Sequence, residues 1–292
     1  MNTRHVTRLL VLVVAVTLLL TTATAQKVKP VTIYNTVPTT LPGNVASEGP
    51  EAYAFAELGD GIGFYASSGT IGKVTVIMSS WACQSGTWQA GCVSSGRNPT
   101  FNQDITINLY SSTGDINTGY TVGSALSGGS ITQTFAIPYR PSATPGNCTD
   151  SSEWYNKKDK TCNHGIAFPI TVDFSSLGIP VPPNGQLIVT VAYNTTHYGP
   201  FPIGEQAPCF ASQAGCPYDA LNISTDTTDG VYPANPGYQL DHNGIFVNYT
   251  LPNSSCTGTI VTGMVEQDTG TYINKTCWEG YHPEITVTVN PK

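Results

Sequence analysis

Eight cysteines stand at Cys83, Cys92, Cys148, Cys162, Cys209, Cys216, Cys256 and Cys277, in four couples separated by 9, 14, 7 and 21 residues. An even set in an exported chain reads first as four disulfides, and long gaps between the couples favour pairing within each couple. Each bridge would close a short loop and stabilise by about 2–3 kcal/mol on the chain-entropy model. No Cys-x-x-Cys occurs and no His lies at zinc-finger spacing from a cysteine pair, so no metal-thiolate site is expected. The tryptophans follow the cysteines: Trp81 and Trp88 lie beside Cys83 and Cys92, Trp154 lies between Cys148 and Cys162, and Trp278 adjoins Cys277. Rigid loops bearing Trp and Tyr present flat apolar faces to sugar rings, with nearby amides and hydroxyls for the sugar hydroxyls. Trp81, Trp88 and Trp154 are therefore candidate ligand-binding residues, together with Tyr193, His197 and Tyr198 from the aromatic segment Tyr193–Phe201. The alternative use of each Trp is packing onto a disulfide.

Paired carboxylates are the route by which an exported β-protein would cleave sugars. Glu205, Glu279 and Asp173 are the candidates, although nothing in their spacing places two of them face to face. Gly-x-Ser-x-Gly, His-Glu-x-x-His and Walker motifs are absent, which leans the reading away from an enzyme. Gly61-Ile-Gly63-Phe-Tyr-Ala66 fits a dinucleotide fingerprint only superficially, because no helix pattern follows, and it reads as a turn. No cofactor is expected. Asp226-Thr-Thr-Asp229-Gly230 has the acidic character of a calcium loop but lacks the alternating ligands and distal Glu of an EF-hand, so at most a structural Ca²⁺ is expected there. Asn-x-Ser/Thr sequons at Asn147, Asn194, Asn222, Asn248, Asn253 and Asn274 are candidate glycosylation sites.

These residues must be positioned by strands. Ile166, Phe168, Ile170, Val172 and Phe174 alternate with less apolar residues, and Val74/Val76/Met78, Ile105/Ile107/Leu109, Leu187/Val189/Val191 and Ile285/Val287/Val289 repeat the pattern. Short runs of this kind, rich in Val, Ile, Thr and aromatics and bounded by Gly, Pro, Asn or Ser, are strands. One-sided apolar strands bury their faces against one another, so the expected fold is all-β: a two-sheet antiparallel β-sandwich, jelly-roll-like, with long disulfide-pinned loops. Residues 1–25 carry Arg4 and Arg8, an apolar run over 9–20 and Ala23-Thr-Ala25, the form of a cleaved signal peptide. Residues 26–292 then read as one sandwich domain, with a loop-rich, Cys-containing elaboration from about 200 and no transmembrane span. The charge balance of 12 Lys+Arg against 19 Asp+Glu gives no basic stripe for nucleic acid.

Leu41-Pro-Gly-Asn44, Ala56-Glu-Leu-Gly-Asp60, Val74–Trp81, Ile105–Tyr110, Phe135–Pro141, Ile170–Phe174 and Pro180–Pro183 together give residues 35–200 a pattern similar to jelly-roll-like β-sandwich modules of exported, largely uncharacterised bacterial surface and secreted proteins. The resemblance implies a fold and an extracellular address, and carries no catalytic residue with it. The function expected from these features is a secreted, non-catalytic binding or surface-interaction module, most directly toward extracellular polysaccharide or a cell-surface glycan. The alternatives are a polysaccharide-cleaving hydrolase or lyase and a structural coat or matrix protein.

Overall fold

Wherever Val, Ile, Thr and aromatic residues take every second position, the chain extends and pairs. The computed structural model describes residues 29–291 apart from 51–54, 67, 86–90, 194–220, 226–233, 242–244, 250–262, 269–270, 273–274 and 277–280. The described strands of the first half are β1 (Val31–Asn35), β2 (Ser47–Glu48), β3 (Phe55–Gly63), β4 (Thr70–Ser80), β5 (Thr100–Asp115), β6 (Gly119–Pro138), β7 (Trp154–Asn156) and β8 (Thr161–Asn163). They continue with β9 (Ile166–Asp173), β10 (Gln186–Tyr193), β11 (Leu221–Ser224), β12 (Tyr238–Gln239), β13 (Ile245–Tyr249), β14 (Glu266–Asp268), β15 (Thr271–Tyr272), β16 (Lys275–Thr276) and β17 (Ile285–Asn290).

β4 is the axis of the first sheet. One of its edges pairs with β9, and the other carries β17 beside Thr70–Val76 and β11 beside Met78–Ser80, with β1 and β2 outside them. The second sheet runs β14–β13–β3–β10–β5–β6, with β12 in line with β13 along one edge of β3. Every pairing between named strands is antiparallel, and the chain crosses directly between the two main sheets from β2 to β3, β3 to β4, β4 to β5, β9 to β10, β10 to β11 and β11 to β12. The protein is thus the expected all-β, jelly-roll-like two-sheet sandwich.

The inward faces are those the alternation selects. Val74, Val76 and Met78, Ile170 and Val172, and Ile285 and Val287 meet Leu58 and Ile62, Ile105, Ile107 and Leu109, and Leu187, Val189 and Val191 in one buried cluster. Each such side chain contributes about 1.5–3 kcal/mol on burial. An acid sits among these apolar side chains: Asp60, between Leu58 and Ile62, is fully buried, with His282 Nδ1 3.5 Å from its Oδ2. Gly61 N–H donates to Oδ1 at 2.7 Å and the Tyr34 hydroxyl donates to Oδ2 at 3.4 Å. Desolvation pushes the Asp60 carboxyl above its ordinary range, and His282 opposes that rise.

Beyond residue 200 the chain supplies β11, β12, β13, β14 and β17 to the two main sheets, so these parts belong to the sandwich itself and are not an appendage. Cys83–Cys92 pins the loop after β4 and Cys148–Cys162 ties the turn before β7 to β8, both pairing within couples. Cys209, Cys216, Cys256 and Cys277 lie outside the described residues.

Candidate functional site

β4 runs from an end of the sandwich where Tyr65 lies to an end where Trp81 lies, and the two ends differ in how they use their aromatic residues. At the disulfide end, the Trp81 indole donates from Nε1 to Ser79 Oγ at 3.0 Å and stacks on His164 with ring centroids 5.3 Å apart. Gly165 completes this packing, because a Cβ there would come within 2.5 Å of Trp81 Nε1. Trp154 is only 8% exposed, and its Nε1 donates to Gly165 O at 2.7 Å, so it fills the interior and offers no face to a ligand.

Ser152, His164 and Asp150 also meet here, without forming a nucleophile. The Ser152 hydroxyl donates to Asp150 Oδ1 at 2.7 Å and is 3.4 Å from His164 Nδ1, while His164 Nε2 is 3.5 Å from Asp150 Oδ2 and 3.8 Å from Glu153 Oε1. The Ser152 hydroxyl gives its hydrogen bond to the carboxylate and not to the imidazole, and Ser152 is buried, so no activated hydroxyl faces solvent. Beneath them Arg140 is fully buried, donates to Ser152 O, and is pushed down to about 10 by desolvation against the pull of Asp150 and Glu153. Cys148, Glu153 and Cys162 cluster as metal ligands would, but both sulfurs are consumed in their disulfide.

The remaining sequence candidates disperse. Asp173 pairs with Lys73 at 3.8 Å, so its described partner is a cation, and its carboxyl is held below the usual range by the Ser175 hydroxyl and amide. The Tyr193 hydroxyl donates to Leu221 O at 2.6 Å with its ring against the core. Asn222 is 2% exposed and donates to Ser47 Oγ, which leaves no room for a glycan. Asn147 is exposed, and half-buried Asn248 accepts from Gly263 N. Trp88, His197, Tyr198, Glu205, Glu279, Asn194, Asn253, Asn274 and the Asp226–Gly230 loop lie outside the described residues.

The other end of the second sheet is built differently. With Leu58, Asp60 and Ile62 pointing inward, β3 turns Gly59, Gly61 and Gly63 outward, and from Gly59 on its outer face is bare backbone. Aromatic rings occupy that space: a Cβ on Gly61 would meet the Phe246 ring at 2.4 Å, and one on Gly63 would meet the Tyr238 ring at 2.2 Å. Tyr65, just beyond β3, is 84% exposed and lies 5.4 Å from Tyr238, itself 37% exposed, with the rings tilted by 44°. Gly61-Ile-Gly63 is therefore strand and not a turn, and the glycines serve ring packing.

The β5–β6 hairpin reaches the same end. Asn184 and Gln186 donate to Ser112 O and Gly114 O at 2.6 and 3.1 Å, which fixes its approach. Tyr120 N donates to Gln267 Oε1 at 2.7 Å, and Gln267 Nε2 donates to Asp241 Oδ2 at 2.6 Å. Burial raises the Tyr120 phenol, with added upward pressure from Asp241, Tyr238 and Asp115. Ile188, Phe246 and Val265 form an apolar floor with Tyr110, Tyr120 and Val122.

Farther along the face a polar ladder crosses the strands. Glu57 Oε1 accepts from Asn108 Nδ2 at 2.7 Å, from the Tyr110 hydroxyl at 2.9 Å and from the Thr190 hydroxyl. Burial and Glu57 push the Tyr110 phenol well up. Ser130 donates to Asn108, Thr106 and Thr132 share a 2.7 Å bond, and Thr134 donates to Asp104. Rings at one end and prefixed hydrogen-bonding groups across the rest suit a ligand with both apolar faces and hydroxyls.

No family model, curated protein or solved structure matches this chain. Its function therefore has to be inferred from the geometry of the site. Tyr65, Tyr120, Tyr238 and Glu57 are not among the residues that sequence patterns single out. The one signal for them is Gly at every second position between Leu58, Asp60 and Ile62, which marks a strand with a bald outer face that rings from elsewhere must cover.

Proposed function

We propose that this protein is a secreted, non-catalytic binding module for glycans, and that it binds them on the outer face of the second sheet at the Tyr65–Tyr238 end. The observation that carries the reading is the exposure of Tyr65, 84%, beside a second partly bared ring. Large aromatic surface left in water is costly, and Tyr offers a sugar ring an apolar face with a polar tip. Gln267 and the exposed Asn108–Ser130, Thr106–Thr132 and Asp104–Thr134 bonds are held in place before any ligand arrives, so little ordering entropy opposes binding.

Two disulfides and the charged-apolar-small pattern of residues 1–25 support an extracellular address. The test is retardation of the oxidised protein in gels containing soluble polysaccharides, with reducing-end release assayed on the same samples. Retardation that is lost in Tyr65→Ala, without release, is expected. Release of reducing ends would replace the reading with that of a hydrolase.

A further inference from the structure

A sheet edge exposes a row of backbone donors and acceptors to any passing strand, and folded proteins blunt such edges with charge, proline, short length or cover. Three edges of this sandwich are treated that way. β9 carries Pro169 at its centre and ends on Asp173. β14 is three residues long with acids at both ends. β1 is covered where Asn35 N–H donates to Pro236 O at 3.0 Å and Asn235 N–H donates to Asn35 O at 2.8 Å.

β6 is different. It is 20 residues long, contains no charged residue, and has its one proline at its last position. Among the described residues, the backbone of Ser130–Ile137 hydrogen-bonds to β5 alone. Thr132, Gln133 and Thr134 are exposed along it, and Ile131 and Phe135 are half-buried.

We infer that the Ser130–Ile137 edge is an interaction surface, and that its partner is the same edge of a second copy, paired antiparallel about a two-fold axis. Antiparallel pairing of a strand with itself is automatically isologous, so one patch serves both partners and the assembly closes at two. Charge also favours this meeting place. The chain has a net charge of −7, yet this strand brings none of it to the interface. The nearest acid on the neighbouring strand, Asp104, is held by Thr134. Across the joined sheet the two Asp104 residues would sit three strand spacings apart, about 14 Å, beyond the roughly 8 Å screening length of physiological salt. Pairing would make one continuous sheet of the two second sheets.

The experiment is sedimentation equilibrium of the full, oxidised exported chain over rising concentration, repeated for Thr132→Pro and Gln133→Lys. Thr132→Pro places in the edge a residue that opposes strand addition, and Gln133→Lys adds the charge the edge lacks at an exposed position. Expected is a concentration-dependent doubling of mass for the wild type, with the dissociation constant raised at least tenfold in both variants and melting of Gln133→Lys unchanged. A wild type that stays monomeric up to about 0.5 mM, or a dimer indifferent to Gln133→Lys, would overturn the inference.

Discussion

At the disulfide end of the sandwich, Trp81 lies on His164 and Gly165, and Trp154 is buried with its indole bonded to Gly165 O. At the opposite end, Tyr238 covers Gly63 and Tyr65 stands 84% exposed beside it. Both regions concentrate aromatic residues, yet the first uses its rings to complete small, cystine-tied hairpins and the second leaves Tyr65 and part of Tyr238 in solvent. The contrast teaches that proximity of Trp to Cys marks a place that needs packing, because short loops closed by disulfides have little apolar surface of their own. Exposure that the fold does not require, as at Tyr65, is what the proposed ligand platform rests on.

The largest effect that would break this comparison is expected at the packed end. Trp154→Ala should cost about 3–5 kcal/mol in chemical denaturation, as large aromatic-to-Ala changes in cores do, while glycan retardation under native conditions persists. A Trp154→Ala protein with wild-type stability would mean that the ring does not fill the interior. Next in size, Cys148→Ser with Cys162→Ser should cost about 2–3 kcal/mol, the loop-closure value for its 14-residue span. Gly63→Val should cost about 1–3 kcal/mol by overpacking against Tyr238 and should also weaken binding, because it displaces a ring of the proposed platform.

Tyr65→Ala is expected to change stability by less than about 0.5 kcal/mol, as exposed sites do, and to weaken binding at least tenfold, or about 1.4 kcal/mol. The smallest effect is a pH dependence at the hairpin tip. Backbone amides of Asn117 and Thr118 hold the Asp115 carboxyl below its usual range. Its folded value lies below its unfolded one, so its stabilisation is present above about pH 4 and is lost as pH falls through the lowered value. The difference in melting temperature between wild type and Asp115→Asn should therefore be constant above about pH 5 and shrink below it. A difference that grows on acidification would reverse the sign.

The layers of this fold are legible in the sequence because burial on one side of a pleated strand imposes period two, and Val74/Val76/Met78 and Leu187/Val189/Val191 obey it. The two described disulfides are legible for a similarly local reason, since cysteines 9 and 14 residues apart close small loops at little entropic cost. The site is less so. Trp81 and Tyr65 look alike as aromatic residues beside loops, and what separates them is a glycine across the fold, Gly165, against one and open solvent beside the other. Glu57 gathers Asn108, Tyr110 and Thr190 from strands that become neighbours only through sheet order, which no local spacing encodes.

The most direct test sets the two ends against each other in one gel series: wild type, Tyr65→Ala with Tyr238→Ala, and Trp81→Ala, each run against the same soluble polysaccharides. Retardation lost in the tyrosine double variant and kept in Trp81→Ala is the expected result. Retardation that survives loss of both tyrosines and disappears with Trp81 would place the binding site at the disulfide end and contradict a tyrosine platform on the second sheet.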